Sequence, residues 1–212
     1  VKYTLPMYVD KRRLMLNIGS VREGERMMYR GVPWLVKHIN FYSLLENPDL
    51  GITLRIPISE LLDKTSRNFD PQESWFPCRK DDWVILSDGT RGGVTHLSHE
   101  TVELVLRGGA KKTYQTADFL AMTPLNLSVN FRLKVPFGID YGHQKDATAT
   151  IPELLSAFIQ KNIEQEGYAE DLLNLRVEFA EAGASSLDLV VIADFKGSQA
   201  PLYNRLKRSI QR

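Results

Sequence analysis

Residues 129–137 read Val-Asn-Phe-Arg-Leu-Lys-Val-Pro-Phe, with apolar side chains at Val129, Phe131, Leu133, Val135 and Phe137. A period of two is the pattern of a strand with one buried face. Downstream, Thr150-x-x-Glu153 has the form of a capping box with Pro152 in the first turn. Ile151, Leu154, Leu155, Phe158, Ile159 and Ile163 share one helical face, so a helix is expected from Thr150 or from nearer His143. Leu175, Val177 and Phe179 mark another strand, 183–186 a tight turn, and 187–195 an apolar run expected at the centre of a sheet. Leu202, Leu206 and Ile210 predict a last helix, whose Arg205, Lys207, Arg208 and Arg212 suit its C-terminal dipole. The order predicted for 128–212 is β-α-β-β-α, without a closing strand.

Upstream the pattern changes to short strands, expected at 25–29, 34–41, 42–45 and 52–57, with Asn47-Pro48-Asp49-Leu50-Gly51 as a turn. A second set follows at 83–86, 94–97, 101–106 and 111–115, with Asp88-Gly89, Gly92-Gly93 and Gly108-Gly109 as turn signals. The two sets answer one another. Gly24-Glu25-Arg26-Met27 corresponds to Asp81-Asp82-Trp83-Val84, and Ile58-Ser59-Glu60-Leu61-Leu62 to Thr116-Ala117-Asp118-Phe119-Leu120, at offsets of 57 and 58. The polar stretch 63–74 between them is expected to be an exposed linker. The chain is thus divided into a first β-domain with an N-terminal extension (1–70), a second β-domain (71–127) and an α/β domain (128–212), an α+β multi-domain plan.

Composition supports a folded chain: 212 residues, 43% hydrophobic and 25% charged, with a formal charge of +1. Residues 1–70 carry +3, 71–127 carry −1 and 128–212 carry −1, so no segment has the cationic surplus that phosphate neutralisation demands. Cys78 stands alone, which excludes an intramolecular disulfide and a multi-cysteine zinc site. No apolar run reaches the roughly 18 residues that span a bilayer. The first residue is Val1 rather than Met, as in a segment or processed product of a longer protein.

The candidate chemistry is sparse. His96 and His99 form an H-x-x-H pair at a strand end, where i and i+3 side chains diverge. His38 and His143 have no second ligand cluster nearby in sequence. Ser185-Ser186 lacks the nucleophile-elbow pattern, and Asp81-Asp82 and Glu164/Glu166 lack the spacing of a shared acid/base site. The glycine pairs fail the phosphate-loop and dinucleotide fingerprints. Lys111, Lys112 and Tyr114 form a short basic-aromatic strip without a wider basic field. No catalytic, cofactor or metal residue is predicted.

The order of motifs, however, resembles the cytoplasmic region of the small-conductance mechanosensitive (MscS-like) channel family. Three segments carry the likeness: Val21-Arg22-Glu23-Gly24-Glu25-Arg26-Met27 with Gly31-Val32, Ser43 and Ile56-Pro57; Asn126-Leu127-Ser128 with Gly138-Ile139-Asp140-Tyr141; and Glu181-Ala182-Gly183-Ala184-Ser185-Ser186 before the apolar strand. Ile58 stands where the family usually has Asn. Residues 71–123 are an addition to the family plan, in which Trp75-Phe76-Pro77 to Val84 repeats the opening motif, and the family's last strand is missing.

The resemblance implies Sm-like small β-barrels followed by a ferredoxin-like domain. It also implies a role as the soluble vestibule of an osmotically responsive ion channel, through which ions and small osmolytes reach a pore. That pore lies in transmembrane helices preceding this segment, with the vestibule on the cytoplasmic side of the inner membrane. The expected partners are further copies of the chain, a heptamer in the family, and the membrane; nucleic acid, cofactor and metal are not expected. Arg22, Gly24, Glu25, Arg26, Ile56 and Pro57 are implied in ring or membrane-proximal contacts, with Arg22, Arg26 and Arg30 near anionic head groups. Gly183, Ala184, Ser185 and Ser186 are expected to form a structural turn with Gly183 at positive φ. A soluble Sm-like ring binding RNA or another ligand is the alternative, and an enzyme would require a convergent polar pocket.

Overall fold

The computed structural model describes residues 4–212 and has an α+β architecture of several antiparallel sheets. Val1 lies outside the described residues. Helix α1 (Thr4–Met15) comes first and packs through Leu14 into the core beneath it. Met7, Tyr8, Val9 and Met15 are exposed, so its apolar residues trace no single face and no helical period marks it in the sequence.

Five strands follow: β1 (Arg26–Tyr29), β2 (Val32–His38), β3 (Tyr42–Asn47), β4 (Ile52–Pro57) and β5 (Ser66–Arg67). They form one sheet in the order β4-β3-β2-β1-β5, with antiparallel neighbours. Arg30 and Gly31 join β1 to β2 with φ of 51° and 76°, the left-handed pair that a two-residue hairpin demands. A turn of 3-10 helix, Ile58–Leu61, succeeds β4 and buries Ile58 and Leu61.

The second sheet has the same connectivity. Strands β6 (Trp83–Ile85), β7 (Arg91–Leu97), β8 (Thr101–Leu106) and β9 (Lys111–Gln115) lead into helix α2 (Thr116–Ala121), and β10 (Leu125–Asn126) returns to give the order β10-β6-β7-β8-β9. Even the irregularities repeat. Register shifts fall at Val36/His38 and at Val94/His96. Gly24 N–H donates to Val36 O at 2.8 Å while Val36 N–H donates to Glu25 O at 2.9 Å; Asp81, Val94 and Asp82 make the same pair of bonds, both at 2.8 Å. Asp81 (φ 72°) occupies the left-handed position of Gly24 (φ 79°).

Three expectations are corrected here. The stretch 63–74 is not linker throughout, because Ser66 and Arg67 pair with Met27 and Arg26; a two-residue strand has no period to read. Gly92 and Gly93 are not a turn but lie inside β7, opposite Val84 and Trp83. A Cβ on Gly92 would sit 2.8 Å from Val105 O, so glycine is there to let a strand approach. The capping box fails as well: Ala149 is the N-cap of the next helix and no side chain caps it.

A second compact unit spans Leu127–Arg212. Its strands β11 (Asn130–Ile139), β12 (Leu172–Ala182) and β13 (Leu187–Lys196) form an antiparallel sheet in the order β11-β13-β12. The crossover from β11 to the parallel β12 contains α3 (Thr150–Gln165), and α4 (Tyr203–Gln211) follows β13 after a 3-10 stretch. Phe131, Leu133 and Val135 from β11, Leu189, Val191 and Phe195 from β13, and Ile159, Ile163, Leu206 and Ile210 from the helices are buried. Val129 is exposed and precedes β11, and Leu154 and Phe158 also face solvent, because α3 turns only its 152–159–163 side inward.

Candidate functional site

The segment 22–26 enters the first sheet through a chain of polar contacts. Arg22 N–H donates to Ser66 Oγ at 2.9 Å, and Ser66 Oγ donates to Glu25 Oε2. Glu23 accepts from Ile39 N at 2.6 Å and meets His38 Nδ1 at 2.8 Å. Arg26 donates to Ser74 O at 2.9 Å, lies 3.3 Å from Glu73 Oε2 and covers the Trp75 ring at 4.7 Å. Its guanidinium is therefore spent on the 73–75 segment, whereas the Arg22 and Arg30 residues are exposed. Ile56 is buried opposite Ser43, and Pro57 is exposed ahead of the 3-10 turn.

The seam between the two sheets is built largely by the turn 47–51. Asn47 is buried and its Nδ2 donates to Pro33 O at 3.0 Å and to Trp75 O at 3.1 Å. Asp49 Oδ2 accepts from the backbone of both Trp75 and Phe76. Leu50 and Leu120 pack into the second core, and Leu120 also packs into the first. These contacts follow from a turn whose polar side chains find backbone partners across the seam, a consequence no local pattern discloses.

Between the sheets lies a cavity of about 600 Å³. Trp34, from β2, is 1% exposed and lines it. Its ring is edge-on to that of His99 from the β7–β8 turn, with centroids 5.9 Å apart and planes at 68°. Trp34 Nε1–H has no acceptor among the described residues. Arg30 lies over Tyr29 at 5.2 Å and Arg55 over Tyr42 at 4.4 Å. Tyr29 donates its hydroxyl to Glu60 at 3.2 Å, and burial pushes its phenol up in pKa against the pull of the nearby Arg30 guanidinium. Trp34, Arg30, Arg55 and His99 are not linked by any sequence spacing, and no motif in the sequence points to them as a group.

The other candidates stay apart. His96 is exposed and His99 faces Trp34, and the described residues hold no group of three or more metal-ligating side chains. Cys78 is buried, and desolvation, with Asp82 nearby, pushes its thiol up to about 12. The 183–186 turn joins β12 to β13, with Gly183 N–H bonded to Ser186 O at 2.8 Å and Ser186 Oγ to Asp188 at 2.7 Å. Gly183 is not among the residues at positive φ, which corrects that expectation. Its constraint is steric: a Cβ there would be 3.2 Å from Ser186 O.

Comparison with solved structures returns channels. The crystal structure of Helicobacter pylori MscS in its closed state is 19% identical, over 64% of this chain and 53% of that one, with a TM-score of 0.40. The cryo-EM structure of Arabidopsis thaliana MSL1 is 15% identical, over 64% and 48%, with a TM-score of 0.36. The chain is similar to MscS and MSL1 channel structures. It spans about half the length of those chains. No family model and no curated protein matches it. Among the described residues, no helix is long and apolar enough to cross a membrane.

Proposed function

We propose that this chain is the soluble, ring-forming region of an MscS-like mechanosensitive channel, a vestibule through which ions and small osmolytes reach the pore. The observation that carries the reading is the coincidence of motif order with structural role. The 21–27 motif leads into a five-stranded antiparallel sheet that also contains Val32, Ser43 and Ile56-Pro57. Residues 126–128 and 138–141 bracket β11, and 181–186 span the end of β12 and the turn to β13.

In this reading the two N-terminal sheets are Sm-like and the C-terminal unit is ferredoxin-like, its β13 lying between β11 and β12 as a split β-α-β plan requires. The second Sm-like sheet is an addition that enlarges each subunit of the ring. Edge strands β4, β9, β11 and β12 offer backbone groups for heterologous contact between copies. The ring lies on the cytoplasmic side of a membrane and performs no catalysis; portal charges bias which solutes enter.

The test is the reading frame upstream of Val1. Several apolar spans of about 20 residues and a tension-gated current in patch recordings of the full product are expected. A frame that opens at Val1, or a membrane product silent under tension, overturns the reading.

A further inference from the structure

We propose that the cavity between the two sheets of the N-terminal unit binds a small organic anion, a carboxylate or phosphate carried on a flat apolar body. The groups around it that call for an acceptor are the Trp34 indole and the Arg30 and Arg55 guanidiniums. Trp34 Nε1–H is buried without an acceptor among the described residues, a condition that folded interiors rarely leave unrelieved. Arg30 and Arg55 form no ion pair with any described carboxylate; Arg55 lies over the Tyr42 ring, and Arg30 lies over Tyr29 and also interacts with its hydroxyl.

Of the acids at the same cavity, Glu60 is engaged by the Tyr29 hydroxyl at 3.2 Å, while Glu100, 3.8 Å from His99 Nε2, extends largely into solvent. A guanidinium held over a ring keeps its in-plane N–H fork available to a carboxylate or phosphate. Both guanidiniums are held: Arg30 by the left-handed hairpin it begins and its place over Tyr29, Arg55 by Tyr42. Val32, Leu54 and Ile56 supply apolar wall beside the Trp34 ring, which is why the anion is organic. The volume of about 600 Å³ lies within the range of small-molecule clefts. Because the lining comes from both sheets, the site exists only where the β-unit is doubled.

The whole 212-residue chain, labelled with nitrogen-15, is titrated with sodium benzoate, phenyl phosphate and inorganic phosphate while the indole N–H resonances of its three tryptophans are followed. Trp34→Phe assigns the Trp34 resonance; if that variant does not fold, through-space coupling to the His99 ring assigns it instead. A saturable shift of the Trp34 resonance with benzoate or phenyl phosphate is expected, and the stronger of the two identifies the head group. Arg30→Ala and Arg55→Ala, both at exposed positions, are expected to weaken binding about tenfold while leaving the remaining spectrum unchanged. No saturable shift, a shift indifferent to both arginine variants, or inorganic phosphate binding as tightly as phenyl phosphate overturns the proposal.

Discussion

A Cβ built on Gly31 would lie 2.8 Å from the Cβ of Ala117. The hairpin of the first sheet and helix α2 of the second therefore meet where no side chain fits, and Gly31 also needs its φ of 76° to close the two-residue turn. One residue thus serves the local turn and the approach of the two sheets.

Gly31→Ala is expected to lower stability by about 1–3 kcal/mol, combining left-handed strain with overpacking. Ala117→Gly in the same background should return the steric part and leave the backbone part. Urea midpoints of the two variants decide it: no recovery in the double variant would show that contact with Ala117 does not matter.

Gly197 is a sharper case. A Cβ there would fall 1.8 Å from Ser128 O and 2.1 Å from its carbonyl carbon, which are backbone atoms that no rotamer can move. Gly197→Ala should cost at least about 3 kcal/mol, the upper end for overpacking. Gly183→Ala meets Ser186 O at 3.2 Å and should cost less. Thermal unfolding that ranks the two equally would refute this.

Hydrogen bonds from Arg67 hold the Glu73 carboxyl at about 2, below its ordinary 4.5. A depressed carboxylate contributes stability that is complete above pH 4.5 and is lost as pH falls toward 2. The stability difference between the wild type and Glu73→Gln should therefore be full at neutral pH and close across that window. Denaturant midpoints measured at several pH values check it, and a difference independent of pH would contradict it.

Arg26→Ala should destabilise by about 1–3 kcal/mol, because it removes a charged hydrogen bond and a ring contact made by a partly buried side chain. Arg22→Ala, at an exposed side chain, should stay within about 0.5 kcal/mol. If the Arg22 loss equals the Arg26 loss, the 73–75 segment does not depend on Arg26.

Cys78 is 3% exposed with its thiol pushed up to about 12, so a disulfide reagent at pH 8 should label it far more slowly in the native protein than in urea. Equal rates would mean that the second core opens readily around Cys78.

Much of the fold is legible along the chain. The alternation 129–137 predicts β11, whose inward residues Phe131, Leu133 and Val135 are buried. The apolar run after 186 predicts β13, the middle strand of its sheet. What is missed is short or lacks a period: β5, β10, and α1 with its scattered apolar residues. Glycine is ambiguous for a related reason. Gly108-Gly109 is a turn at positive φ and Gly92-Gly93 a strand interior, and the same dipeptide serves a backbone need in one place and a packing need in the other.

By itself, the sequence determined the longer strands and the helices with a clear apolar face, and how the first β pattern returns 57 to 58 positions later, because periodicity is a local property of side chains on one backbone. Only the tertiary structure decided what covers each apolar face. That Asn47 would bind Trp75, that Arg26 would turn inward to Glu73, and that Trp34 would meet His99 across a cavity depends on residues 28, 47 and 65 positions apart. Such pairings are fixed when the two sheets pack, since burial of the joint surface and the hydrogen bonds across it are properties of the seam and of neither strand pattern alone.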